Sequence, residues 1–186
     1  YVSETAGNRN VVGHWRTNQV SGGYAIYLNG ANPAFAVSCN GDDFYHARSG
    51  TEIQANRWTH LAGTFEATGS SATLRIFVDG TLETTVTAPC ETPNPLPATP
   101  LQIAYDDPGI NGGNPMEGYV DEVRLSAEVR YAENFDPAIR FISDSSTRAL
   151  FHFEEPEPLS DASPVPSDLT ASGGAAHAPA TCPGDP

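Results

Sequence analysis

Two loops of this 186-residue chain gather side chains that could do chemistry. The first, residues 40–50, carries Tyr45, His46 and Arg48 between two glycines. A ring beside planar hydrogen-bonding groups suits a sugar, whose apolar face stacks while its hydroxyls are bonded. Trp15, and Tyr105 beside Asp106, are further aromatics at predicted strand ends, so Trp15, Tyr45, His46, Arg48 and Tyr105 form the expected ligand-binding set. The second loop, residues 106–115 (DDPGINGGNP), places Asp106, Asp107, Asn111 and Asn114 within one glycine-rich turn. Calcium takes about six to eight oxygen ligands, which loops supply better than strands. These four residues are the expected Ca2+ ligands, with Asp42-Asp43 a second cluster. Neither matches an EF-hand loop, and Asp, Asn, Gly and Pro are also ordinary turn residues.

Paired carboxylates for acid–base work are less well placed. Glu117 and Asp121, four apart, share a face if they lie on one strand, whereas Glu122 points the other way. Asp42-Asp43 and Glu154-Glu155 are adjacent pairs that a strand splits across its faces. Structural roles for these acids are therefore the default. No serine sits in a Gly-x-Ser-x-Gly elbow, and Cys39 has no local partner motif. The five histidines lack metal-protease spacing, so zinc is not expected. His60 and His152 fall on predicted strands and read as packed or hydrogen-bonded residues; His46, in a loop, could contact a ligand.

The elements that must hold these groups are strands. Residues 56–87 form a predicted three-strand meander. Residues 58–65 have half-buried strand composition, and in 74–78 Leu74, Ile76 and Val78 alternate with Arg75 and Phe77. Asp79-Gly80 then supplies a two-residue hairpin turn, so Asp79 is assigned to that turn and not to a metal. Upstream, 11–15, 24–28 and 35–39 read as strands, with Asn29-Gly30 a hairpin signal and Pro33 delaying the strand after it. A further segment, 51–55, leads into the meander. Five prolines in 88–100 make that stretch an extended crossover. Downstream, 101–105 and 116–125 read as strands, the latter carrying Asp121 on the face of Val123 and Leu125. One helical turn is expected within 127–140, then a strand over 148–154.

Trp58-Thr59-His60-Leu61-Ala62, followed by Leu74-Arg75-Ile76-Phe77-Val78-Asp79-Gly80, resembles the core of laminin-G-like, or concanavalin A-like, jelly-roll domains. Gly118-Tyr119-Val120-Asp121-Glu122-Val123-Arg124-Leu125-Ser126, Arg130-Tyr131 and Phe135-Asp136-Pro137 resemble the closing strand and cap of the bacterial laminin-G-like form. The two matches cover roughly residues 11–142. The resemblance implies a two-sheet antiparallel sandwich and a calcium at its rim. It leaves activity open, because the fold hosts lectins, adhesive modules and glycanases alike. Glycanases of this fold use Glu-x-Asp-x-x-Glu or a shortened form, which Glu117, Asp121 and Glu122 do not reproduce.

Bulk properties narrow the partners. The formal net charge is −14, with no lysine and nine arginines. Such a surface repels phosphate backbones and anionic lipid, so nucleic acid is not an expected partner. No apolar run is long enough to span a bilayer. The opening at Tyr1-Val2, in mid-pattern, suggests a mature or excised piece, so the lack of a signal peptide says nothing about export. Cys39, Cys90 and Cys182 allow one bridge in three pairings, or three free thiols; a bridge to Cys182, tying down the tail, is the favoured pairing.

The resulting expectation is an all-β jelly-roll sandwich over residues 1–155, with 148–154 a late strand docking on it or on a neighbour. A Pro/Ser/Ala-rich extension, 156–186, follows. Function is read as a non-enzymatic, secreted or cell-surface module that binds glycan or a surface protein through rim loops with calcium assistance. The alternative is a structural subunit joined to its copies by terminal-strand exchange or an intermolecular disulfide. The third reading is a glycanase of the same fold.

Overall fold

The structure, a computed structural model, describes residues 1–16, 22–41, 43–96, 99–104 and 116–177. Ten strands occur among them and no helix: β1 (Asn8–Arg16), β2 (Gly22–Asn29), β3 (Asn32–Ser38), β4 (Phe44–Arg48), β5 (Leu61–Ala67), β6 (Ala72–Val78), β7 (Thr81–Ala88), β8 (Gln102–Ile103), β9 (Val123–Ser126) and β10 (Thr147–Phe151). They form a five-stranded sheet, β4-β3-β2-β1-β8, a three-stranded sheet, β5-β6-β7, and a β10-β9 pair, antiparallel throughout. The chain is an all-β sandwich of jelly-roll type.

By packing, the chain divides into two compact units. One is Tyr1–Gly118 with Tyr131–Asp136; the other is Tyr119–Arg130 with Pro137–Pro186. In the first, the core lies between the five- and three-stranded sheets. Phe35, Val37 and Ala47 of one sheet meet Ala72, Leu74, Ile76 and Ala88 of the other or beside it. The strand alternation in β6 places Leu74 and Ile76 here, with Val78 in a second cluster alongside Val2, Leu28 and Ile53. Gly63 on β5 is what allows the sheets to close. A Cβ there would come within 2.4 Å of the Phe35 ring, so that ring rests on bare backbone.

The hairpin turn between β6 and β7 uses Asp79 and Gly80 at φ 48° and 76°, the left-handed pair its sequence demands. The Asp79 carboxylate accepts the His60 N–H at 2.8 Å and pairs with Arg57, which binds the turn to the start of the meander. On the far side of β6, Phe77 is fully buried beneath Phe135 and Tyr131, whose rings stack at 3.5 Å. These two rings belong to the stretch where one helical turn is expected. The stretch is irregular instead, with bends and no helical turn: Phe135 N–H donates to Gly80 O at 2.9 Å, and Pro137 disfavours helix at the residue before it.

Several boundaries differ from the sequence reading. β3 begins before Pro33, whose carbonyl still accepts Ser49 N–H at 2.8 Å. Residues 51–55, which lead into the meander, bury Ile53 in the second cluster. The predicted strand over 116–125 is regular only at Val123–Ser126, because Glu122 adopts φ 51°. Asp121, expected to face inward, is exposed and accepts the Glu122 N–H at 2.9 Å.

The disulfide also differs. Cys39 bonds to Cys90, 51 residues away, and not to Cys182, which lies outside the described residues. Cys39 follows β3 and Cys90 follows β7, so the bridge clamps one sheet to the other. Closing a loop of that length stabilises by about 4 kcal/mol in the chain-entropy account.

In the second unit β10 pairs with β9, and ends where Phe153 turns to φ 57°. The described part of the proline-rich extension, residues 156–177, is irregular but anchored. Asp161 is 5 % exposed, and its carboxylate accepts backbone N–H groups from Leu150, Ser163 and Ser167, each at 2.9 Å. A second cluster joins Glu122 to His152 Nδ1 at 2.7 Å and to Phe141 N–H at 2.8 Å, with Arg140 bridging to Glu154.

Candidate functional site

The five-stranded sheet has a second face, turned away from the core, and its register lines up three rows. Gly13 stands beside Ala25, Ala25 beside Ala36, and Ala36 beside His46. One row over are Tyr27, Ala34 and Arg48. On the other side Trp15 stands opposite Gly23, and Phe44 opposite Ser38. The two central strands therefore contribute almost nothing larger than alanine, Tyr27 excepted. Large groups occupy β1 and β4 at either side.

Small neighbours let the rings lean across the sheet. Trp15 and Phe44, which start from strands three apart in the sheet, approach to 6.2 Å between centroids. Phe44 meets His46 edge-on at 4.8 Å, and His46 meets Tyr27 at 5.7 Å. Ala25, Ala34 and Ala36 beneath them are buried. Gly13 is required: a Cβ there would lie 2.7 Å from that of Ala25. The result is an aromatic platform on an alanine floor, with Phe44 at its surface, 50 % exposed.

The polar groups on this platform are ordered. Arg48 lies near the Tyr27 hydroxyl, and that hydroxyl is 2.8 Å from His46 Nδ1. The tyrosine O–H can donate to Nδ1. Burial, then the nearby Arg48 charge, hold His46 below the ordinary histidine range, which keeps it neutral at pH 7. With Nδ1 accepting that bond, the neutral ring holds its proton on Nε2. That nitrogen is shielded from water and has no hydrogen-bond partner among the described residues.

Of the five residues expected to bind a ligand, the fold brings Trp15, His46 and Arg48 to this face. Tyr45 faces the other way and packs against the core, because its neighbours His46 and Phe44 take the outward positions of β4. Tyr105 lies outside the described residues, as do Asp106, Asp107, Asn111 and Asn114 and Asp42. Asp43 bonds Asn40 both ways, at 2.8 and 3.0 Å, as a turn residue does. Among the described residues no group of three or more His, Cys, Asp or Glu is arranged to hold a metal.

Tyr27 and Phe44 were not among the expected residues. The signal for them was present: Ala25 and Tyr27 alternate with Tyr24, Ile26 and Leu28, and Ala34, Ala36 and Ser38 alternate with Phe35 and Val37. One face of the sheet is thus built small on its two central strands, which leaves room above for rings. Glu117 and Asp121 lie off any strand, so the shared face that could have paired them does not arise.

The family model described as the concanavalin A-like lectin/glucanases superfamily matches residues 1–134. No curated protein and no solved structure matches the chain.

Proposed function

The chain belongs to the concanavalin A-like lectin/glucanases superfamily, and we propose that it is a non-enzymatic recognition module whose platform of Trp15, Tyr27, Phe44, His46 and Arg48 binds glycan. At the coarse level the family supports a carbohydrate- or protein-binding domain. The observation that carries the finer reading is the partly exposed aromatic surface beside directed hydrogen-bonding groups, which is how protein surfaces take the two faces of a sugar. The reading moves recognition from the rim loops to a sheet face. A secreted or cell-surface setting accords with a disulfide that joins the two sheets. No helix among the described residues is long and apolar enough to cross a membrane.

Binding of immobilised oligosaccharides to the intact chain tests this. Trp15→Ala and Phe44→Ala should each weaken binding roughly tenfold or more, while thermal unfolding stays near that of the parent. Equal binding by all three proteins would overturn the assignment. Calcium assistance, read from Asp106, Asp107, Asn111 and Asn114, is tested separately by repeating the measurement with a chelator. The second class of reading, assembly by terminal-strand exchange, is less supported, since β10 is already paired with β9 of its own chain.

A further inference from the structure

We propose that this platform selects uncharged glycans over anionic ones, and that the Tyr27–His46 pair presents His46 Nε2–H as a fixed donor to a sugar oxygen. The inference rests on the glycan reading above and names the ligand class of the same site.

Two sets of observations carry it. The first is charge. Sulfated or uronate-rich glycans are bound through several cations that release counterions, and such binding weakens steeply with salt. Of the platform residues Trp15, Tyr27, Phe44, His46 and Arg48, only one, Arg48 at the exposed end of β4, is a cation. The chain offers no lysine at all and carries a net charge of −14, which opposes the approach of a polyanion. Rings and neutral dipoles dominate what is left, and these suit hydroxyl-bearing ligands without charge.

The second is direction. Imidazole in water exchanges between two tautomers and can donate from either nitrogen. Here the Tyr27 hydroxyl occupies Nδ1, so Nε2 is the remaining donor. A buried N–H with no acceptor is unfavourable, and a ligand oxygen would relieve that. Phe44 sits edge-on against His46 and is half exposed, so its ring is the group that turns aside to admit the oxygen. Within the platform Tyr27 also positions a neighbour, since it fixes the His46 ring through Nδ1.

The experiment uses the whole chain. Calorimetric titration is run with neutral oligosaccharides (cello-, laminari-, xylo-, manno- and galacto-hexaoses) and with heparin and polygalacturonate, from about 50 to about 500 mM sodium chloride. At least one neutral probe should bind with an affinity that salt leaves unchanged, and neither polyanion should. Tyr27→Phe should weaken the neutral probe roughly tenfold. In the free protein, 15N spectra should show His46 protonated at Nε2, and in Tyr27→Phe a mixture of tautomers. Salt-sensitive binding of only the polyanions overturns this inference and leaves the glycan site standing. Binding of none of the probes overturns both. A neutral ligand whose affinity is indifferent to Tyr27→Phe, or a parent His46 protonated at Nδ1, overturns the donor assignment.

Discussion

The Tyr27 hydroxyl reaches diagonally over β3 to lie 2.8 Å from His46 Nδ1, joining β2 to β4 on the face opposite the core. It can do so because the residue between them on each row is alanine, Ala34 or Ala36. A larger side chain at either position would separate the two rings. Ala36→Leu should therefore disrupt the platform while the core face of β3 stays intact.

The first prediction concerns His46 and pH. Burial and then Arg48 depress its affinity for protons in the folded chain, from an ordinary value of 6.5. The unfolded chain therefore takes up the proton first as pH falls. Stability from the neutral ring is fully present above pH 6.5 and is lost as pH drops through the lower, folded midpoint. Arg48 and Tyr27 are the charged and titratable groups beside the ring on these strands. An NMR titration of the His46 ring protons should place the midpoint below 6.5, and a midpoint at or above it would contradict the geometry.

Asp161 predicts acid sensitivity in the second unit. Burial works against its charge, but hydrogen bonds from Leu150, Ser167 and Ser163 outweigh that and hold the carboxyl below its ordinary 3.8. A depressed acid stabilises above its unfolded value and loses that contribution as pH falls through the folded one. Asp161→Asn should cost about 2 kcal/mol, since an amide cannot accept from three N–H groups as a carboxylate does. Hydrogen exchange at Leu150, Ser163 and Ser167 should accelerate in the variant; unchanged protection would show that the anchor is dispensable.

Reduction supplies a third. Opening Cys39–Cys90, or replacing both cysteines with serine, should lower the stability of the first unit by about 4 kcal/mol. Denaturant titration under oxidising and reducing conditions measures it. A shift under about 1 kcal/mol would mean that the two sheets hold the loop closed without the bond.

Gly63→Ala tests the sheet-to-sheet contact. The added methyl meets the Phe35 ring, which has core on its other sides, so a loss of about 1–3 kcal/mol is expected. Pairing it with Phe35→Leu should recover part of the loss. Failure of any such recovery would place the strain elsewhere.

Periodicity made the sheets legible. Leu74, Ile76 and Val78 lie on the buried side because a strand offers them no alternative, and Asp79-Gly80 turns because few other pairs can. The candidate site was only half legible. Tyr45, His46 and Arg48 were grouped as loop neighbours, but once the segment is a strand, alternation sends Tyr45 into the core and exchanges it for Phe44. Tyr27 is distant in sequence from His46, and nothing local announces that β2 and β4 flank one strand. The break at Glu122 and the Cys39–Cys90 pairing are set by partners far along the chain, which composition does not reveal.

The bond between Cys39 and Cys90 has a mechanical side. Pulled from its two ends, the polypeptide cannot lengthen through the 51-residue span that the sulfur atoms short-circuit, some ~170 Å of contour. That span holds all of β5, β6 and β7 and, with β4, the residues Phe44, His46 and Arg48. Under such tension Phe44, His46 and Arg48 would stay on the safe side of a covalent shackle, while Trp15 and Tyr27 remain on the side that can unravel.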